Sequence, residues 1–281
     1  RGAERLRKPF AVIISVVVIL GLFLPGCARK EEETVKVGAV LSLTGLSSTY
    51  GQSVRKGLEL AAEEINKEGG VLGKQIECII GDDESKIDGA RTVITKLLME
   101  DKVNLVIGGV TSSTTLAIAP LCQRYKVPLV TPSATSADVT KVGDYIFRAC
   151  FIDDFQGSVL ARFAFENLKA RRAGILKDVK SNYSIGLASA FSKTFREKGG
   201  EIVNEQVYTV GDTDFRSQLK SIKASKPDVL FIPGYYAEVG LIIRQAEQLS
   251  IQAPLLGGDG WDSPRLLEIA GASAEGAYYG T

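Results

Sequence analysis

The repeated alternation of apolar, strand-like runs with amphipathic, helix-like segments limits the fold of this chain more than any other feature. Residues 34–45, TVKVGAVLSLTG, are rich in β-branched side chains and end at a glycine, as strands do before a loop. The following segment places Val54, Leu58, Ala61 and Ile65 on one helical stripe. Strands that alternate with helices in this way predict parallel sheets with helices packed on both faces.

The alternation continues in a second unit that begins near Asp153, where residues 155–168 are predicted to form a helix. The predicted fold class is therefore α/β, with two doubly wound parallel-sheet lobes and a ligand cleft between them. We assign the N-terminal lobe to residues 35–152 and the second lobe to residues 153–281. Because the last apolar run has only begun a strand at Thr281, we expect a C-terminal truncation near a return crossover.

Composition excludes several functional classes. The 281 residues include no histidine, so a Ser–His–Asp triad is impossible and a nucleophilic serine would need a lysine or another unusual base. Metal sites would have to be built from cysteine and carboxylate ligands alone. The net charge of +1 gives no electrostatic reason to expect a nucleic acid partner. We therefore expect a protein that is not an enzyme and has no metal and no cofactor.

The N-terminal segment has the pattern of an export signal. Residues 1–8 carry four cations against one acid, and residues 10–24, FAVIISVVVILGLFL, are apolar but shorter than a comfortable membrane span. The sequence Leu24-Pro25-Gly26-Cys27 resembles the bacterial lipobox, in which the cysteine is lipidated and becomes the mature N-terminus. We predict a lipoprotein signal peptide over residues 1–27 and a polar tether over 28–34. The alternative is a plain signal anchor with an incidental cysteine.

Three further cysteines, Cys78, Cys122 and Cys150, contain no CxxC pair, so neither a zinc knuckle nor a thioredoxin-like site is indicated. We expect them to act as small buried hydrophobic residues. The alternative, for an exported protein, is that two of them form a disulfide bond.

The sequence gives no support for a phosphate-binding loop, a metal site or a dinucleotide-binding motif. The segment 68–75, EGGVLGKQ, has a Gly-Lys pair, but a P-loop requires glycine in place of Glu68 and serine or threonine in place of Gln75. Asp82 and Asp83 form an acidic pair at a strand end without further ordered ligands, so a solvated turn is the better interpretation. No G-x-G-x-x-G follows a strand in the pattern of a dinucleotide site.

Polar and aromatic residues collect at the predicted carboxyl ends of the strands, where open parallel sheets bind ligands. The candidate binding residues are Tyr50, Ser112, Ser113, Ser133, Ala134, Thr135, Tyr183, Tyr235 and Asp259. Ser112 begins a predicted helix, whose unpaired amides and dipole favour an anion, and Thr135 adds a second hydroxyl. Asp259, in the GGDG loop, can pair with an ammonium group. Anion donors on one lobe and an acid on the other indicate a receptor for a zwitterion.

Each candidate also has a purely structural interpretation. Ser112 is equally suited to cap its helix, and Asp259 between glycines is equally suited to shape a turn. The tyrosines taken singly are better explained as packing residues. The functional interpretation therefore depends on their convergence at one sheet edge.

Several stretches together resemble the periplasmic binding proteins of branched-chain amino acid ABC transporters. They include GGVTSSTTLAIAP, VTPSATS, SNYSIGLASAF, GYYAEVGLIIRQA and LLGGDGWDSP, and their order and spacing extend over residues 36–281. The resemblance implies the type I periplasmic binding fold, in which two lobes are joined by crossing strands and close around the ligand by a hinge motion. It also implies that family members continue beyond the point matching Thr281.

The resemblance also assigns roles to individual residues. Ser112 and Thr135 match positions that bind the ligand α-carboxylate. The backbone carbonyl of Ser133 and the acid Asp259 match positions that bind the α-ammonium group. The three tyrosines match aromatic residues that line the pocket. The best-known members carry glutamate at the position of Asp259, so the acid here is shorter by one methylene.

We therefore predict an extracytoplasmic, lipid-anchored receptor that captures an amino acid, branched-chain or otherwise hydrophobic, and delivers it to the permease subunits of an ABC transporter. An exported ligand-sensing domain of the same fold, for another small carboxylate or an amide, is the alternative. An α/β hydrolase is disfavoured because the chain lacks histidine.

Overall fold

The computed structural model describes residues 34–281, so the predicted signal peptide, the lipidation site Cys27 and nearly all of the predicted tether lie outside the described residues. Five strands form the first sheet, which is wholly parallel and has the order β2-β1-β3-β4-β5. These strands are β1 (Val35–Leu41), β2 (Ile76–Asp82), β3 (Leu105–Gly108), β4 (Leu129–Thr131) and β5 (Ile146–Arg148). We call this sheet and its helices the first lobe.

Helices cover both faces of the first sheet. They are α1 (Ser48–Lys67), α2 (Ile87–Met99) and α3 (Ser112–Tyr125). Fully buried aliphatic side chains from α2, β3 and α3, among them Ile94, Val106 and Ile118, form the core. Helix α1 begins in direct contact with the end of β1, because a Cβ on Gly51 would lie only 2.0 Å from the carbonyl oxygen of Ser42. This close approach fixes the position of the neighbouring Tyr50 at the sheet edge.

The second lobe repeats the architecture of the first. Its strands are β6 (Arg172–Asp178), β7 (Glu201–Tyr208), β8 (Val229–Phe231), β9 (Leu255–Gly257) and β10 (Tyr278–Tyr279). Its helices are α4 (Asp153–Arg162), α5 (Asn182–Glu197), α6 (Arg216–Ala224), α7 (Tyr236–Gln248) and α8 (Pro264–Ala270). The parallel sheet has the order β10-β9-β8-β6-β7, so each sheet places its first strand second from one edge. The predicted α/β fold with two parallel-sheet lobes is confirmed.

Aromatic packing dominates the core of the second lobe. The ring of Phe191 lies 4.1 Å from that of Phe231 and 5.4 Å from that of Phe195, and all three side chains are fully buried. Helices α4 and α5 pack so closely that a Cβ on Gly157 would lie 2.6 Å from that of Ala190. This contact presses the first turn of α4 into the protein interior.

Two local predictions differ from the structure. The helix predicted over 155–168 begins at Asp153, and beyond Arg162 it continues as a π-helical turn, Phe163–Asn167. Asp83 is fully buried where a solvated turn was expected, because β2 ends against the residues that follow β1. Its neighbour Asp82 accepts hydrogen bonds from the backbone of Leu43 and from the Thr44 hydroxyl.

The cysteines are only partly as predicted. Cys78, Cys122 and Cys150 are free thiols in the described part of the chain, and only Cys122 is buried. Cys78 and Cys150 are partly exposed because each lies near the end or edge of the first sheet. Within residues 34–281, no helix is both long and apolar enough to cross a membrane, and no group of three or more acidic or cysteine side chains could hold a metal ion.

Candidate functional site

A small cavity lies where the carboxyl ends of the strands of both lobes meet. Its volume is about 60 Å³. It is lined by Tyr50, Val110, Ser112, Ser133, Thr135, Tyr183, Tyr235, Asp259 and Gly260. Seven of the nine residues predicted from sequence are in this lining, whereas Ser113 and Ala134 are not. An adjoining open cleft of about 480 Å³ shares three lining residues with the cavity, namely Tyr50, Ser133 and Asp259.

The first lobe contributes hydroxyl groups at the N-terminus of α3. Thr111 caps this helix and forms a capping box with Thr114, so the interpretation of Ser112 as the cap is wrong. Ser112 is instead the first helical residue and is almost fully buried. Its Oγ accepts the backbone N–H of Ser136 at 3.1 Å, which leaves its own hydroxyl proton available to an acceptor in the cavity.

The loop after β4 supplies the remaining groups of this wall. The Ser133 hydroxyl donates to the carbonyl of Val110 at 2.7 Å, which ties the loop to the end of β3. Thr135 is buried and is one of the lining residues. Ala134 is not in the lining, because it packs in the buried core of the first lobe, and its carbonyl accepts a hydrogen bond from the Arg148 guanidinium at 2.9 Å.

Ser113 has a different position from the one predicted. It follows Ser112 by one residue and therefore faces about 100° around the helix. Its hydroxyl donates to Oδ1 of Asn182 at 3.1 Å and accepts the Asn182 backbone N–H at 3.2 Å. Because Asn182 begins α5, this pair joins the two lobes at the rim of the site.

Three tyrosines form the aromatic side of the cavity. The rings of Tyr183 and Tyr235 stack with centroids 5.0 Å apart, and the Tyr50 ring lies 6.1 Å from Tyr235. Burial raises the pKa of each of the three hydroxyls well above its usual value, so all three remain neutral donors and acceptors. Tyr183 accepts the backbone N–H of Gly260 at 3.0 Å.

The second lobe contributes an acid. Asp259 follows β9 and begins a single 3-10 turn, Asp259–Trp261. Space is tight at both of its glycine neighbours. A Cβ at Gly258 would lie 2.6 Å from the Gln156 side-chain oxygen, and a Cβ at Gly260 would lie 2.6 Å from the backbone carbonyl of Gly234. Burial raises the pKa of Asp259, although the Tyr183 hydroxyl and the Gln156 amide nearby oppose the rise. The loop therefore holds a partly buried carboxyl at the cavity wall.

Two polar residues behind this wall were missed by the sequence analysis. Asp153 and Gln156, in the first turn of α4, are 2% and 5% exposed. Among the described residues, neither has a side-chain hydrogen bond of standard geometry. Burial raises the pKa of Asp153 to about 7, against the effect of the Thr135 hydroxyl and with a further rise from Asp259. Acids in a first helical turn normally face solvent, so no local signal marked this one as buried.

Comparison with known proteins gives consistent results. A family model described as periplasmic binding protein matches residues 34–281. The Leu/Ile/Val-binding protein BraC3 of Rhizobium johnstonii is 35% identical over 247 residues, covering 87% of this chain and 66% of that protein. The chain thus spans about two thirds of the length of this relative.

Two solved structures are similar in fold and sequence. The leucine binding protein LivK of Thermotoga maritima has a TM-score of 0.83 and 39% identity, covering 87% of this chain and 69% of that one. The branched-chain amino acid transporter substrate binding protein LivJ of Streptococcus pneumoniae, solved with isoleucine, has a TM-score of 0.82 and 37% identity. That match covers 88% of this chain and 70% of the other.

Proposed function

Because this chain belongs to the periplasmic binding protein family, we propose that it is a receptor that captures a branched-chain or other hydrophobic amino acid for an ABC transporter. The relatives named above are binding proteins, and the LivJ structure was solved with isoleucine. On this proposal the chain works outside the cytoplasm and hands its ligand to permease subunits without changing it chemically.

The observation that best supports the proposal is the polar asymmetry of the cavity. Ser112 and Thr135 line it on the first lobe, where the α3 N-terminus favours an anion. Asp259 lines it on the second lobe and has a buried oxygen, Oδ1, without a partner among residues 34–281. A zwitterion oriented with its carboxylate toward α3 and its ammonium toward Asp259 satisfies both walls. The Ser133 carbonyl is the proposed second acceptor for the ammonium.

The cavity dimensions suit the main-chain part of an amino acid. A volume of about 60 Å³ corresponds to roughly four to six water-sized spheres. The apolar side chain of the ligand then lies against the tyrosine rings and extends toward the larger cleft, which Tyr50 also lines. Aromatic rings contact both aliphatic and aromatic groups well, so the proposal covers hydrophobic amino acids as a class.

Contacts between the lobes support a closing mechanism. In addition to the Ser113–Asn182 pair, the hydroxyls of Thr49 and Ser263 lie 3.1 Å apart across the cleft. A ligand that bonds to both lobes adds to these contacts only when the cleft is closed. Ligand binding therefore shifts the population toward the closed form.

We also propose that lipidation of Cys27 holds the mature protein at the membrane. The support is the basic and apolar leader followed by the lipobox-like residues 24–27. Mass spectrometry of membrane-extracted protein should find a diacylglyceryl or triacyl group on Cys27. Soluble protein cleaved at another position would contradict this proposal.

The receptor function is tested by a thermal-shift panel of the twenty amino acids and their deaminated analogues. A ligand bound only by the folded state at hundredfold excess over Kd raises stability by about 2.7 kcal/mol. We expect leucine, isoleucine or valine to raise the melting temperature, and 3-methylpentanoate, which is isoleucine without its amino group, to have little effect. The proposal fails if no amino acid stabilises the protein, or if the deaminated acids stabilise it equally.

A further inference from the structure

Behind the cavity, Asp153 lies close to two of the lining residues. Its backbone N–H donates to the carbonyl of Thr135 at 2.9 Å, which fixes the start of α4 to the cavity wall. Its carboxyl is near enough to Asp259 for each negative charge to affect the other, and the Thr135 side chain also approaches it. Asp153 is therefore part of the same polar cluster as Asp259 but lies one layer deeper.

The cluster has more acceptors than donors. Within residues 34–281, both carboxyl oxygens of Asp153, Oδ1 of Asp259 and the side-chain amide of Gln156 are buried without a hydrogen bond of standard geometry, although the Thr135 hydroxyl approaches Asp153 and the Gln156 amide approaches Asp259. A buried, unpaired polar group costs folding free energy, so such groups in a native protein require an explanation. An ammonium group brings three donors and a positive charge. The cluster therefore has the composition of an incomplete cation site.

The surrounding charges leave this site negative. Asp153 is approached by Asp259 from the loop after β9, by Asp154 on its own helix and by Arg148 of β5. The Arg148 guanidinium already donates to the carbonyls of Ala134 and Ser136 and to the Thr140 hydroxyl. The other titratable neighbours are Tyr183, Tyr235 and Cys150, whose pKa values burial raises, so they are neutral.

We propose that Asp153 and Asp259 form one two-carboxylate subsite for the ammonium group of the ligand, in which Asp259 makes the contact and Asp153 sets the charge. This inference rests on the receptor function proposed above and deepens it. Asp153 is a positioning residue, because it is not among the residues that line the cavity, whereas Thr135 and Asp259 are.

Proton release on binding follows from the subsite. With a pKa of about 7, Asp153 is about half protonated in the empty protein at neutral pH. A cation nearby favours the ionised carboxyl, so binding should release about half a proton per ligand at pH 7. The affinity should weaken about tenfold between pH 8 and pH 6. At pH 6 the Asp153 carboxyl of the empty protein is mostly protonated, and it must lose this proton when the ligand binds. The ligand's own groups do not titrate in this interval, and the chain has no histidine.

The test is calorimetry with isoleucine at pH 6, 7 and 8, at each pH in two buffers of different ionisation enthalpy. The wild-type protein should lose about tenfold in affinity from pH 8 to pH 6 and release about half a proton at pH 7. Asp153→Asn should bind with an affinity that changes less with pH than that of the wild type and should release fewer protons, because only Asp259 then has a raised pKa at the subsite. The exposed neighbour Asp154→Asn is the matched control and should behave like the wild type.

The outcomes separate the two proposals. Absence of isoleucine binding at pH 8 would refute the receptor function as proposed for this ligand. Binding by the wild type without proton release would refute the role of Asp153 alone, and this measurement needs no variant to fold. An Asp153→Asn variant that melts cooperatively but keeps the wild-type pH slope would also overturn the inference.

Discussion

The hydroxyl of Tyr50 in the first lobe donates a hydrogen bond of 2.5 Å to the backbone carbonyl of Gly260 in the second. The N–H of the same glycine donates to the Tyr183 hydroxyl. Both backbone groups of Gly260 are therefore held by tyrosines, one from each lobe. Since Gly260 follows Asp259 directly, closure of the lobes and the position of the acid depend on the same peptide.

Removing the Tyr50 hydroxyl should speed ligand release. Tyr50→Phe keeps the ring but loses the bond between the lobes, which is worth about 0.5–1.5 kcal/mol. We expect a several-fold faster dissociation rate by stopped-flow fluorescence, with little change in the melting temperature of the empty protein. Tyr125→Phe, on an exposed ring of the same lobe, is the control. An unchanged dissociation rate would mean that the bond does not limit opening.

Neutralising Asp259 should discriminate between ligands. Asp259→Asn leaves the ligand ammonium desolvated and poorly paired, a loss of roughly 2–5 kcal/mol and thus well over tenfold in affinity. Binding of 3-methylpentanoate should hardly change, because it has no ammonium. Calorimetry on both ligands measures the difference, with the exposed Asp88→Asn as control. Equal losses for both ligands would show that Asp259 only shapes its loop.

The Thr135 hydroxyl should matter more than its methyl group. Thr135→Val leaves a ligand carboxylate short of a donor in a buried site, at a cost of about 1–3 kcal/mol. Thr135→Ser retains the hydroxyl and should bind within a few-fold of the wild type. Isothermal titration with isoleucine compares the two variants. If the serine variant is as weak as the valine variant, packing by the methyl group is the dominant contribution.

The empty protein should become more stable as the pH falls from 8 toward 5. The pKa of Asp153 is raised by burial to about 7 in the folded state, while the unfolded value is about 3.9. Between these values the folded state binds more protons, so stability increases on acidification. Burial raises the pKa of Asp83, Asp178 and Glu238 too, with the same sign. In thermal melts, Asp153→Asn should show a smaller increase than the wild type, and an identical increase would exclude Asp153 as a source.

The aromatic core of the second lobe should carry much of its stability. Phe231→Ala removes a fully buried ring stacked on Phe191 and should lower the free energy of unfolding by about 3–5 kcal/mol. Phe155→Ala, at a ring that is 63% exposed, should change it by at most about 0.5 kcal/mol. Urea denaturation followed by circular dichroism measures both. Similar losses for the two variants would contradict the assignment of the core.

The sequence was sufficient for the fold and for most of the cavity lining, because both follow from periodic patterns. Strand ends are visible as changes from apolar to polar residues, and parallel sheets bring those ends to one edge. Tyr50, Ser112 and Asp259 were found in this way, and the structure brings them together around the cavity. Their roles in binding stay predictions.

Burial of polar residues was not visible in the sequence. Asp153 has the pattern of an ordinary acid in a first helical turn, and it is buried where α4 packs on α5, at a contact where Gly157 and Gly186 leave room. Asp83 is buried for a similar reason, since β2 ends beside the residues that follow β1. Such outcomes depend on packing between segments, which local patterns do not encode.

The succession of the two lobes along the chain has a consequence for synthesis on the ribosome. The described strands and buried core of the first lobe come from residues before 153, so they are translated before the described part of the second lobe. The cavity, by contrast, needs Asp259 and Gly260, more than a hundred residues later. A nascent chain would therefore contain these first-lobe segments before any ligand could be held between two walls, and an amino acid can bind across the cavity only after Asp259 and Gly260 have been made.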